Sequence, residues 1–169
     1  MASRAATMVA LLLAAVAATC ARAQLHDKFY SESCPSVEDV VRKEMVRALS
    51  LAPSLAGPLL RMHLGCDGSV LLDSANKTAE KDAQPNQTLR GFGFVERVKA
   101  AVEKACPDTV SCADILALIA RDGVWLSKGP FWTVPLGRRD GSVSISNETD
   151  ALPPHDQDGQ RQPAHRKPG

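Results

Sequence analysis

The chain has 169 residues, with 20 Lys+Arg against 19 Asp+Glu and 44% hydrophobic residues. That is one domain's worth of sequence, with enough apolar content for a core. The near balance of charge argues against nucleic acid or an acidic membrane surface as a partner.

In chain order, Arg4 gives a positive start, Met8 to Ala18 form a short apolar run, and Ala21-Arg22-Ala23 reads as a cleavage site. Residues 1–23 are therefore expected to be a secretory signal peptide, with Gln24 as the new N-terminus. The run is too short and alanine-rich to favour a membrane span. Cleavage would remove Cys20 and leave Cys34, Cys66, Cys106 and Cys112. In an exported chain these are disulfide candidates before they are metal ligands; three pairings are open, and spacing does not choose among them. N-x-T sequons at Asn76, Asn86 and Asn147 fit a secreted glycoprotein.

Ser36 is placed to cap a helix, with Asp39 in the first turn where the helix dipole favours negative charge. Val37, Val40, Val41, Met45, Ala48 and Leu49 follow as an apolar stripe at helical spacing. Pro53 interrupts. Residues 54–64 form a second helical candidate, with Pro58 limiting where it starts. Residues 65–88 read as loop, rich in Gly, Asn and Asp. Phe94, Val95, Val98, Val102 and Ala105 mark a third helix, ended by Cys106-Pro107. Ser111 caps a fourth, with Asp114 three residues on and Ile115, Leu116, Ile119 and Val124 as its buried side. Residues 127–147 return to loop and short extended structure. Residues 155–169 contain no large apolar residue and are expected to be a disordered polar tail, because they cannot bury enough surface to offset the entropy of ordering. The expected fold class is all-α.

Residues 59–72 read Leu-Leu-Arg-Met-His-Leu-Gly-Cys-Asp-Gly-Ser-Val-Leu-Leu. Around them, in order, stand Phe29 to Pro35, Glu80 to Ala83, Leu89 to Phe92, Val110 to Leu118, and Val134 to Gly141 with Trp132 before it. This succession resembles the secretory plant haem peroxidase family (class III), from Gln24 to about Pro154. The family's distal segment is L-L-R-x-H-F-H-D-C-F-V-x-G-C-D-x-S-V-L-L. Both flanks match, but Leu64 alone stands where the family has F-H-D-C-F-V-x, a net loss of about six residues, or 9 Å of helix.

The resemblance implies the distal-side helical half of that fold, with residues 24–154 as a partial peroxidase domain. It implies haem b and calcium as cofactors, hydrogen peroxide and phenolic donors as partners, and secretion to the cell wall or apoplast. Arg61 takes the position of the family's transition-state arginine, a fixed cation for charge developing as the O–O bond breaks. The acid/base histidine four residues on is replaced by Gly65. His63 also has a family counterpart, which is not the catalyst; at about 100° per residue it sits roughly 200° round a helix from Arg61. Asn86 takes the position that supports the distal histidine, and Pro153 a position on the donor channel. Gly65, Asp67, Ser69 and Glu80 are what remains of the distal calcium site. Cys34 and Cys106 match a family pair, while Cys66 and Cys112 have lost their partners. His155 and His165 lack the surroundings of the family's proximal iron ligand, which belongs to a second half not seen in this sequence. The expectation is a peroxidase relative that is catalytically defective. The alternatives are a non-catalytic secreted glycoprotein fragment or a mis-spliced product. Apolar surface along the helices after Ser36 and Ser111 is expected to stand exposed.

Overall fold

A computed structural model describes residues 25–151. The proposed signal peptide (1–23), Pro153, His155, His165 and the polar tail lie outside the described residues.

The described part is all-α, with four α-helices and short 3₁₀ turns between them. Helix α1 spans Val37–Leu51 and buries Val37, Val41 and Met45, the inner edge of the stripe. Ser36 does not cap it as expected. Its backbone is already helical (φ −91°, ψ 0°) and its side chain makes no capping bond; the Ser36 carbonyl instead accepts from Val40 N at 3.0 Å. The 54–64 candidate resolves into a 3₁₀ turn at Pro53–Leu55, helix α2 at Ala56–Met62, and a second 3₁₀ turn at His63–Gly65. Pro58 is tolerated because it falls in the first turn of α2, where an N–H has no intrahelical partner to lose.

Helix α3 spans Phe92–Ala105 and buries Phe94, Val95, Val98 and Val102. Ala105, expected on this buried face, is exposed at the helix's last position. The chain enters α3 through Gly91 at φ +111°, and a Cβ there would lie 3.1 Å from both Leu55 Cδ1 and Leu59 Cδ2. Helix α4 spans Cys112–Leu126, and Ser111 does cap it, its Oγ accepting from Asp114 N at 3.1 Å.

Helix α4 is the centre of the molecule. It packs against α2 and α1, and α1 packs in turn against α3. Every residue from Ala113 to Gly123 is buried. The four-residue stripe read for this helix therefore understates its burial, and Val124, expected inside, is only half-buried. The expectation that α4 would expose apolar surface is overturned except at Trp125 (41% exposed), because α1, α2 and the segment around Val134 and Leu136 cover it. On α1 it stands, with Val46 and Leu51 exposed.

Two long-range ties close the N-terminal segment onto this core. Cys34 and Cys106 form a disulfide across 72 residues. His26 and Leu136 exchange backbone hydrogen bonds of 2.8 and 2.9 Å, an isolated antiparallel bridge in the otherwise strandless described region. Between α1 and α4, Arg121 (1% exposed) donates to Glu38 Oε2 at 2.5 Å and Asp122 Oδ1 at 2.8 Å, under the ring of Phe131. Two acceptors and a ring face offset the cost of burying that charge.

Candidate functional site

Arg61 sits in the last turn of α2, and the helix ends one residue later. The position four residues on, Gly65, is therefore off the helix and exposed. The helical path ends at this point: Cys66 follows the 3₁₀ turn in the left-handed region at φ +65°. Arg61 Nη2 donates to the carbonyl of Pro85 at 3.4 Å, and its Nε is buried without a partner.

His63 lies in different surroundings. Burial holds its pKa below the ordinary histidine value; nearby Arg138 depresses it further, and Asp114 opposes. It is neutral at pH 7, with Nδ1 buried and unpartnered. Arg61 thus reaches the 84–86 turn, whereas His63, in the 3₁₀ turn after the helix, feels the charges of Arg138 and Asp114.

Asn86 is buried (3% exposed), and its Nδ2 donates to the carbonyl of Glu80 at 2.9 Å. That burial also closes the sequon at Asn86; Asn76 and Asn147 are exposed. Through Pro85, the fold brings Arg61 and Asn86 to adjacent positions although they are far apart in the chain.

Asp67, Ser69 and Glu80 do come together. Ser69 Oγ lies 2.7 Å from Asp67 Oδ1 and 2.5 Å from Glu80 Oε1. Ser69 N also donates to Asp67 Oδ1 at 3.0 Å, and Ser144 Oγ accepts from Glu80 N at 3.0 Å. A hydroxyl has one proton, so it cannot donate to two ionised carboxylates at once. Burial pushes the Glu80 carboxyl above its ordinary value; the Ser69 hydrogen bond opposes this, and Asp67 and Glu148 add to it. A protonated Glu80 donating to Ser69, which donates to Asp67, satisfies all three. The Gly65 carbonyl is turned to Asp67 N at 2.9 Å.

This set does not fit calcium. The ion takes six to eight oxygens, with several carboxylates among them. Here two carboxylates already close on one hydroxyl, and among the described residues no group of three or more His, Cys, Asp or Glu could hold a metal ion. The described residues hold two histidines, His26 and His63. His26 is exposed and engaged by its backbone with Leu136. Cavities of about 380 and 330 Å³ open on the surface, and neither is lined by Arg61, His63 or Asn86.

Two features of the site were not read from the sequence. Gly141 packs on Asp67: its N donates to the Asp67 carbonyl at 2.9 Å, and a Cβ there would collide with the Asp67 carboxylate. Asp114, read only as a first-turn residue of α4, is fully buried. It accepts from Tyr30 OH at 2.9 Å, Gly137 N at 2.7 Å and Arg138 Nη1 at 3.0 Å. No local pattern marks either role, because each is made by chain more than 20 residues away.

No described helix is long and apolar enough to cross a membrane. The model of the family described as "Peroxidase" matches residues 8–167. Among curated proteins, the chain is 79% identical over 154 residues to Peroxidase 1 of Oryza sativa subsp. japonica, covering 87% of this chain and 47% of that protein. It is 55% identical over 139 residues to Peroxidase 30 of Arabidopsis thaliana, covering 78% and 42%. Peroxidase 27 of the same plant is 52% identical over 134 residues. The chain spans somewhat under half the length of these relatives.

Proposed function

The chain belongs to the peroxidase family, and from that membership we propose that it is the distal-side part of a secreted haem peroxidase of the plant class III type. The proposed reaction of the whole architecture is oxidation of phenolic donors by hydrogen peroxide, in peroxide removal and cell-wall chemistry. The proposed organisation is a signal peptide at 1–23, a partial peroxidase domain at 24–154 and a polar tail. Arg61 holds the transition-state position, Asn86 the support position and Pro153 the donor-channel position.

This chain by itself is proposed to be catalytically defective. One observation carries that reading: the position four residues after Arg61 is Gly65, exposed and off the helix, with no side chain to exchange a proton. Peroxide cleavage needs a base and acid within hydrogen-bond reach of the oxygens, not only a cation. Gly65 has nothing to exchange, and His63 is held neutral by burial and by the charge of Arg138. Haem and calcium belong to the family's chemistry, and the Asp67, Ser69 and Glu80 set does not fit calcium.

The test mixes purified chain with hemin and calcium and follows peroxide-dependent oxidation of a phenolic dye, against free hemin at the same concentration. Rates equal to free hemin are expected. Rates more than about a hundredfold higher, the scale of general acid–base catalysis, would overturn the defective reading.

A further inference from the structure

The N-x-T sequons at Asn76, Asn86 and Asn147 do not share one environment. Asn76, Lys77 and Thr78 are all exposed. They lie on a turn in which Lys77 N donates to the Ser74 carbonyl at 3.3 Å and Lys77 takes the left-handed region at φ +55°. The Ser74 hydroxyl closes the base of that turn, accepting from Thr78 N at 2.7 Å and Ala79 N at 3.1 Å. Asn147 is exposed on the neighbouring segment, where Ser146 N donates to the Thr78 carbonyl at 2.8 Å. A bulky polar sugar at either position meets solvent.

Asn86 is the exception. The residue is 3% exposed, and the Nδ2 that would carry a sugar donates to the Glu80 carbonyl at 2.9 Å. Its backbone is held on both sides: Asn86 N donates to the Ala83 carbonyl and Leu89 N to the Asn86 carbonyl, each at 2.9 Å. A few extra methylenes already destabilise a packed interior, and a sugar ring is much larger. The folded chain therefore has no place for a sugar on this nitrogen. Gln87 and Thr88, the rest of the sequon, are exposed.

We propose that sugar attachment and folding compete at Asn86: the folded, secreted chain carries sugar on Asn76, and a sugar on Asn86 diverts the chain from folding. In the transfer, the asparagine side-chain nitrogen bonds to the anomeric carbon of a lipid-linked oligosaccharide diphosphate. The sugar–phosphate bond breaks, the lipid diphosphate leaves, and the amide gives up one proton. The Cys34–Cys106 disulfide encloses Asn86, and a chain entering from its N-terminus cannot close that loop until Cys106 has followed. During that interval Asn86-Gln87-Thr88 is as complete a sequon as Asn76-Lys77-Thr78. The proposal rests on the secreted reading above.

The experiment expresses the full chain behind a host secretion leader in eukaryotic cells, with degradation of retained protein blocked. Entry then does not depend on residues 1–23, so a failure here leaves the secreted reading itself untouched. Peptide N-glycosidase in heavy-oxygen water marks each formerly glycosylated asparagine for peptide mass mapping, in the secreted and the retained pools separately. Sugar on Asn76 and none on Asn86 is expected in the secreted pool, with Asn86 sugar confined to the retained pool. Thr88→Ala deletes the sequon at an exposed position and leaves Asn86 in place. It should raise the secreted yield by the reciprocal of the fraction of wild-type chains left unmodified at Asn86. Sugar on Asn86 in secreted chains, no sugar on Asn76, no Asn86 sugar in either pool, or a yield unmoved by Thr88→Ala would each overturn the proposal.

Discussion

Removing the Cys34–Cys106 disulfide tests how this small helical assembly is held together. The bond closes a loop with a sequence separation of 72 residues. In the chain-entropy model that loop restricts the unfolded state by about 15 cal/mol/K, or roughly 4.4 kcal/mol at 25 °C. Folded domains of this size are stable by only about 5–15 kcal/mol, so this single bond contributes roughly 30–90% of the total. Both sulfurs are buried, and the Cys34→Ala, Cys106→Ala pair removes them together. With a urea slope of about 2 kcal/mol/M, the midpoint should fall by roughly 2 M, and the slope should rise as the unfolded chain expands. Equilibrium unfolding followed by circular dichroism measures both quantities. Reduced wild-type protein should show the same shift, separating the lost cross-link from the lost side-chain volume. A shift below about 0.5 M would refute the reasoning; the packing of α1 on α3 and α4 would then hold the N-terminal segment without covalent help.

Three further outcomes are expected. Asp114→Ala should cost about 3–5 kcal/mol in urea unfolding, because Arg138 loses its buried partner and the Tyr30 hydroxyl and Gly137 N–H lose an acceptor; a cost under about 1 kcal/mol would remove Asp114 from its role as hub. Glu80→Gln should raise the urea midpoint at pH 7 and leave it unchanged near pH 4. Glu80 has a raised pKa in the folded state, so its stabilisation is full below the unfolded value and is lost as pH rises through the folded one. Glutamine keeps a donor for Ser69 with no charge to bury, and a lower midpoint at pH 7 would show that folding does not raise the Glu80 pKa. His63 contributes the opposite slope below its unfolded value of 6.5, which is common to both proteins and cancels. Arg61→Leu should leave the hemin-dependent rate unchanged, and a tenfold drop would show that Arg61 still works without a base.

Much of the architecture was legible in sequence because helices α1, α3 and α4 are local objects. Their apolar residues recur at helical spacing, and Ser111 is a cap by chemistry and position. The misreadings fell where tertiary contacts outrank local preference. Ser36 has a capping side chain but enters α1 already helical, so no bond is made. Ala105 follows the stripe but sits at the helix end, beyond the packed face. Helix α4 looks amphipathic from four residues yet is buried from Ala113 to Gly123, since three other segments wrap it.

The residues named for chemistry follow the same division. The resemblance assigns Arg61, Asn86, Asp67, Ser69 and Glu80 to family positions and proposes that a histidine is missing, because motif identity is carried residue by residue. Whether those side chains meet depends on chain returning from far away. Gly141 packs on Asp67, Ser69 lies between two carboxyl groups, and His63 and Arg61 find different neighbours. Sequence by itself determined the family, the helices and what the distal segment lacks, since these rest on local pattern. Only the tertiary structure decided which polar groups share protons, which are sealed from water and which cysteines pair, since burial and distance are properties of the packed chain.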